Sequence, residues 1–251
     1  MNRVVLVAAF ILVSASLAVV TGCKDSAPTT ELERFIIETN KVAPEALTDT
    51  LRSHIRADGS YAVYASYLMG NHFYGAAQET AMTVGWTDGT VNALLDSAEL
   101  YFTAAVERDS TFLEALVNLG SLWDDRSEQM GSRTERDDRL AKAEMYYRKA
   151  LEVDPLDEKA RCNLGALYLR MRRTSDALAE FQTVLANDPR SSLAHYNLAI
   201  MFAEAKIYRE AIAEWELASK YDPDGDIGDR SRDNIKIVHD LMNAPTPDNV
   251  K

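Results

Sequence analysis

Apolar residues in the C-terminal half of this chain form a helical stripe that restarts at a fixed interval. Ala177, Phe181 and Val184 stand at i, i+4 and i+7, and Ala211, Trp215 and Ala218 repeat them 34 residues later. Leu164-Gly165 and Pro189 reappear at the same spacing as Leu198-Ala199 and Pro223. Apolar positions in that rhythm predict amphipathic helices. A proline lacks the N–H and clashes inside a helix, so each second helix stops near Pro189 or Pro223. A period of this length marks stacked two-helix units, which bury their apolar faces on one another and leave an extended surface.

The frame extends upstream. Leu119-Gly120 leads to Ala143, Tyr147, Ala150 and Pro155, and Met69-Gly70 leads to Ala98, Phe102, Ala105 and Ser110. Four units follow, at 63–112, 113–157, 158–191 and 192–225. Gly165 omits a side chain so that the neighbouring helix approaches closely, and Ala177 and Ala211 do the same from the second helix. Phe181 and Trp215 then fill the space one turn later, and Val184 and Ala218 face the next unit.

The residues Asn163 to Tyr168 (N-L-G-A-L-Y), Asp176 to Phe181 (D-A-L-A-E-F) and Asp188-Pro189 resemble the tetratricopeptide repeat family. The fourth block departs by Ala199 for glycine, the second by an insertion, and the first by Ser66 in place of the family's first large residue. The resemblance covers roughly residues 63–225. It implies an all-α fold, an α-solenoid of about four helix-turn-helix repeats between N- and C-terminal capping helices. It also implies a protein or peptide partner, without naming one.

In that family the first helices line a concave face. Carried over residue by residue, the resemblance places Tyr64, Tyr67, Asn71 and Tyr74 there from the first unit, and Glu114, Val117, Asn118 and Ser121 from the second. Lys159, Cys162, Asn163 and Ala166 follow from the third, and Leu193, Tyr196, Asn197 and Ile200 from the fourth. The candidate groove residues are Tyr64, Tyr67, Asn71, Asn118, Asn163, Tyr196 and Asn197. An asparagine amide donates and accepts, so it can bond an extended peptide backbone; it can equally satisfy a local helix-to-helix contact. Tyrosines add rigid amphipathic contact area. Val117 and Cys162 stand where the carboxylate-clamping subtype of the family uses lysine or asparagine, which disfavours that subtype.

Gly165 to Ala177 spans 12 residues, but Gly120 to Ala143 spans 23 and Gly70 to Ala98 spans 28. The second unit thus carries 11 extra residues and the first 16, both between the two helices of a unit. They read either as longer helices with tolerated surface loops or as a partner-binding edge with Trp86 as its anchor.

The start of the chain reads as a targeting segment. Arg3 precedes the apolar run Val4 to Val20, and Val20-Thr21-Gly22-Cys23 resembles a bacterial lipobox. That resemblance implies a signal peptide over 1–22, cleavage before Cys23 and lipidation of Cys23. An uncleaved apolar anchor is the other reading. One acyl chain binds a membrane marginally and two or three bind durably. Lys24 after the cysteine then favours the outer membrane of the bacterial envelope, facing the periplasm, as the resemblance implies. The stretch Lys24 to Thr30 of the linker 23–30 reaches at most about 25 Å when extended, so the domain is expected to sit close to the bilayer.

Thr30 with Glu33 predicts a capping box opening a helix to about Lys41, and Pro44 predicts a second helix to about Arg56. Residues 31–62 are therefore expected to cap the first repeat. Ile235, Val238, Leu241 and Met242 predict a capping helix within 226–243, with 244–251 as a tail.

Charge and chemistry narrow the picture. The chain of 251 residues has 39 acidic and 27 basic residues, which opposes binding to a phosphate backbone. With Cys23 lipidated, Cys162 has no intramolecular partner, so no disulfide or cysteine metal site follows. His54, His72, His195 and His239 form no pair aimed from one helix face. Asp222, Asp224 and Asp226 with Gly225 lack the terminal glutamate of a calcium loop. No catalytic set, phosphate loop or cofactor motif emerges. The expected function is a membrane-anchored interaction scaffold or assembly adaptor of the cell envelope. A self-associating structural protein and, further off, a small-ligand-binding protein or an enzyme using the inserts remain as alternatives.

Overall fold

A computed structural model describes residues 30–129 and 131–243. The expected signal peptide (1–22), Cys23, most of the expected linker and the expected tail (244–251) lie outside the described residues. Those that are described form eleven helices and fall into two compact units, one ending at Asp154 and one beginning at Pro155.

The first unit opens with α1 (Glu31–Thr39) and α2 (Pro44–Ala57). The Thr30 hydroxyl accepts from the Glu33 N–H, and the Glu33 carboxylate accepts from the Thr30 N–H, so two of the helix's orphan donors are satisfied. Phe35 and Leu51 on these helices bury against Ala65, Leu68 and Met69 of α3 (Ala62–Val84). Next come α4 (Gly89–Arg108), α5 (Leu113–Arg126) and α6 (Arg133–Val153). Val91, Leu95, Ala98, Phe102 and Ala105 form the buried stripe of α4, and Leu140, Ala143, Tyr147 and Ala150 that of α6.

The second unit contains α7 (Glu158–Arg170), α8 (Thr174–Asn187), α9 (Ser192–Glu204), α10 (Tyr208–Tyr221) and α11 (Asp226–Asn243). Helices α7 and α9 end alike. Arg172 and Lys206, 34 residues apart, hold left-handed φ values of 60° and 62°. The Arg173 N–H then reaches the Tyr168 carbonyl at 2.7 Å, and the Ile207 N–H reaches the Phe202 carbonyl at 2.8 Å. This αL reversal satisfies the last carbonyls and turns the chain into the second helix.

One contact locks three of the pairs. A β-carbon added to Gly70 would stand 2.4 Å from the Phe102 ring, one on Gly120 2.5 Å from Tyr147, and one on Gly165 2.4 Å from Phe181. The glycines are therefore required by close approach: each ring occupies the space a side chain would take. In the fourth pair Ala199 and Trp215 are both fully buried.

The inserts resolve chiefly into helix. Helix α3 has 23 residues against 13 in α7, and α4 has 20 against 14 in α8. The connection between α3 and α4 is only Gly85 to Asp88. Helix α6 grows to 21 residues, opened by a second capping box of Ser132 and Glu135. Trp86 is half-buried and packs on the cluster of Tyr74, Ala77, Ala81, Val91 and Leu95.

Candidate functional site

In the first unit, Tyr64, Tyr67, Asn71 and Tyr74 share one stripe of α3. The stripe divides into an open end and a closed end. At the open end Tyr64 is half-buried, with its ring 5.8 Å from Phe112, 6.2 Å from Phe35 and 6.4 Å from Tyr61. Tyr67 sits 5.0 Å from the same Phe112 ring, edge to face. Leu32, Val63, Tyr64 and Tyr67 together form a partly buried apolar patch over buried Phe112. Burial raises the Tyr64 hydroxyl above its ordinary range, and the carboxylates of Glu31, Asp109 and Glu114 add to the shift. Those three acids come from α1, from the α4–α5 turn and from α5, and all three are exposed.

At the closed end the polar groups satisfy one another. The Asn118 side-chain amide donates to the Asn71 carbonyl oxygen at 2.7 Å; burial raises the nearby Tyr67 hydroxyl, and the two asparagines partly offset that rise. The Tyr74 hydroxyl donates to Asp125 Oδ2 at 2.7 Å, and Tyr147 donates to Ser121 at 3.1 Å. Asn71 and Asn118 are thus buried, and they bond each other across α3 and α5. Of the two roles open to these amides, the geometry shows the local helix-to-helix bond. Buried amides take the nearest partner, and the stacked first helices bring two into register.

The second unit buries two further groove candidates. Tyr196 is 1 % exposed, and Asn234 of α11 donates to its hydroxyl at 3.3 Å. Asn197 donates to the Leu193 carbonyl of its own helix at 3.0 Å and touches Cys162. Helix α11 packs on both α9 and α10, so the terminal helix covers the tyrosine that the frame alone would place on the inner face. Asn163 is half-buried on α7. Cys162 is fully buried; burial, with Glu158 nearby, pushes its thiol well up, so it behaves as a small core residue.

The Asp222–Asp226 loop is a helix cap. Asp222 Oδ2 accepts from the Ile227 and Gly228 N–H groups at 3.0 and 3.2 Å, and a β-carbon on Gly228 would collide with the Asp222 carbonyl. Among the described residues no three of His, Cys, Asp and Glu converge as metal ligands. Among them, too, no helix is long and apolar enough to cross a membrane.

Residues 162–226, from α7 through α10, match the model of the tetratricopeptide repeat family. No curated protein matches the chain. A thermophilic tetratricopeptide repeat protein of Thermus thermophilus is similar in structure. Its TM-score is 0.57 at 17% identity, over 76% of this chain and 90% of that one. MamA is similar over 78% of this chain and 97% of its own, with a TM-score of 0.48 and 16% identity. The first likeness establishes the fold: an all-α protein of tetratricopeptide-type helix pairs with additional terminal helices.

Proposed function

We propose that the chain is a protein-interaction scaffold whose open surface is the tyrosine patch of the first unit. The observation that carries this reading is the partly exposed set Leu32, Val63, Tyr64 and Tyr67, rimmed by Glu31, Asp109 and Glu114. An apolar, aromatic centre with a charged rim has the composition of a protein contact. The helix-pair fold supports the same reading, since stacked pairs serve as binding surfaces. The lipobox resemblance at Val20 to Cys23 extends it to a lipid-anchored adaptor of the bacterial envelope, held through Cys23 and acting beside the membrane.

Photo-crosslinking in living cells tests the scaffold reading. A crosslinker at position 64 or 67 should trap one defined protein, whereas a control at Leu100, 66% exposed on α4, should not. Equal trapping from all three positions sinks the idea. Lipid labelling tests the anchor: Cys23→Ala should abolish incorporation of labelled fatty acid, and retained label rules the assignment out.

A further inference from the structure

His195 sits at the joint between two helix pairs and belongs to none of the surfaces above. Its Nδ1 lies 2.6 Å from Glu214 Oε2 on α10, and its Nε2 lies 3.2 Å from the Pro189 carbonyl in the α8–α9 turn. Both ring nitrogens therefore face acceptors. Only the imidazolium can donate to both; the neutral ring must turn one lone pair toward an oxygen.

The repeat itself supplies the comparison. One interval earlier, Arg161 Nε donates to the Pro155 carbonyl at 2.7 Å and Arg161 Nη1 to Glu180 Oε2 at 2.6 Å. Positions 155, 161 and 180 become 189, 195 and 214 on adding 34. The same three-point clamp is thus built twice, once around a permanent cation and once around a titratable one.

The groups around His195 come from each neighbouring element. Glu214 and the Tyr221 ring, 5.6 Å away, are on α10, and Asp188 ends α8. Arg190 and Lys220 stand over the outer Tyr221 ring. Ser191, which caps α9, donates to Glu158 of α7 at 2.6 Å, so the turn held by His195 is also the turn that joins the two pairs.

We propose that His195 is a proton-operated clamp at the α8–α9 joint. Protonated, it holds the Pro189 carbonyl and the Glu214 carboxylate as Arg161 holds their counterparts; on losing the proton to solvent it releases the turn. The bond to Glu214 raises its affinity for the proton, burial opposes this in part, and the Pro189 carbonyl, Glu214 and Asp188 add to the rise. The folded value is raised, so the clamp's stability is fully present below the unfolded value of about 6.5. It is lost as pH rises through the higher folded value.

Amide hydrogen exchange on the full chain tests this, comparing residues 190–196 with residues 156–162 in the same sample. The ratio removes the common pH dependence of exchange. It should rise several-fold between about pH 6 and about pH 8.5, and should stay flat in His195→Arg. A ratio that stays flat in the unaltered chain, or rises equally in His195→Arg, overturns the proposal. If His195→Arg folds poorly, carbon-13 titration of the histidines decides alone: a His195 midpoint at or below the ordinary histidine value also overturns it.

Discussion

In residues 30–154 the helices α3 and α4 run to 23 and 20 residues, whereas in residues 155–243 the helices α7 to α10 run to 13 or 14. The first unit carries 22 acidic and 12 basic residues, a formal charge of −10; the second carries 15 and 12, a charge of −3. Both use the same lock of small residue against aromatic ring. They differ in what the lock leaves free. In the second unit α11 packs over Tyr196, which becomes core. In the first, the caps α1 and α2 cover Tyr64 only in part, and an acid-rimmed aromatic patch stays partly open. The strict interval thus belongs to the unit whose tyrosine α11 covers, and the partly open aromatic patch belongs to the irregular one.

Breaking the common lock should have the largest effect in either unit. Phe102→Ala and Phe181→Ala each empty a fully buried site and should cost about 3–5 kcal/mol, read by urea unfolding. If one of them costs under about 1 kcal/mol, the two units do not share the lock. Filling it from the other side should cost less. Gly120→Ala and Gly165→Ala press a methyl into a ring and should destabilise by about 1–3 kcal/mol through overpacking.

A polar break comes next. Tyr74→Phe removes the hydroxyl that donates to buried Asp125 and should cost about 1–3 kcal/mol. Burial and Asp125 raise the Tyr74 hydroxyl well above its ordinary value, so its contribution is present below about pH 10 and lost above. Tyr74→Phe should therefore flatten the alkaline limb of a stability–pH curve, and an unchanged limb would count against this assignment.

The open and closed tyrosines separate function from stability. Tyr196→Ala should lower the unfolding midpoint strongly and leave crosslinking from position 67 intact where the chain still folds. Tyr64→Ala should do the reverse, with a small stability change and a loss of trapping. Matching behaviour of the two variants would erase the distinction between the units. The smallest effect lies at the helix ends: Arg172→Gly and Lys206→Gly relieve a left-handed residue and should each stabilise by about 0.5 kcal/mol in thermal unfolding.

Much of the fold was legible because its signals are local. Thr30 with Glu33 marks a capping box, and Pro44 a first helical position. Gly120, Gly165 and their aromatic partners mark the lock. The site was less legible because contacts across helices decided it. Asn118 looks the same in sequence as an amide awaiting a peptide, yet it meets Asn71, 47 residues away. The doubled clamp of Arg161 and His195 could have been found in the sequence, since Pro, Arg/His and Glu recur at the repeat interval. Its meaning needed the distances.

By itself the sequence determined helix existence, the repeat interval and where a missing side chain lets the paired helix approach. Those depend on backbone stereochemistry and on side-chain volume within one or two turns. Only the tertiary structure decided which inner-face residues remained available. Exposure depends on what packs above a residue, and there α11 covers Tyr196 while α1 and α2 leave Tyr64 half-open.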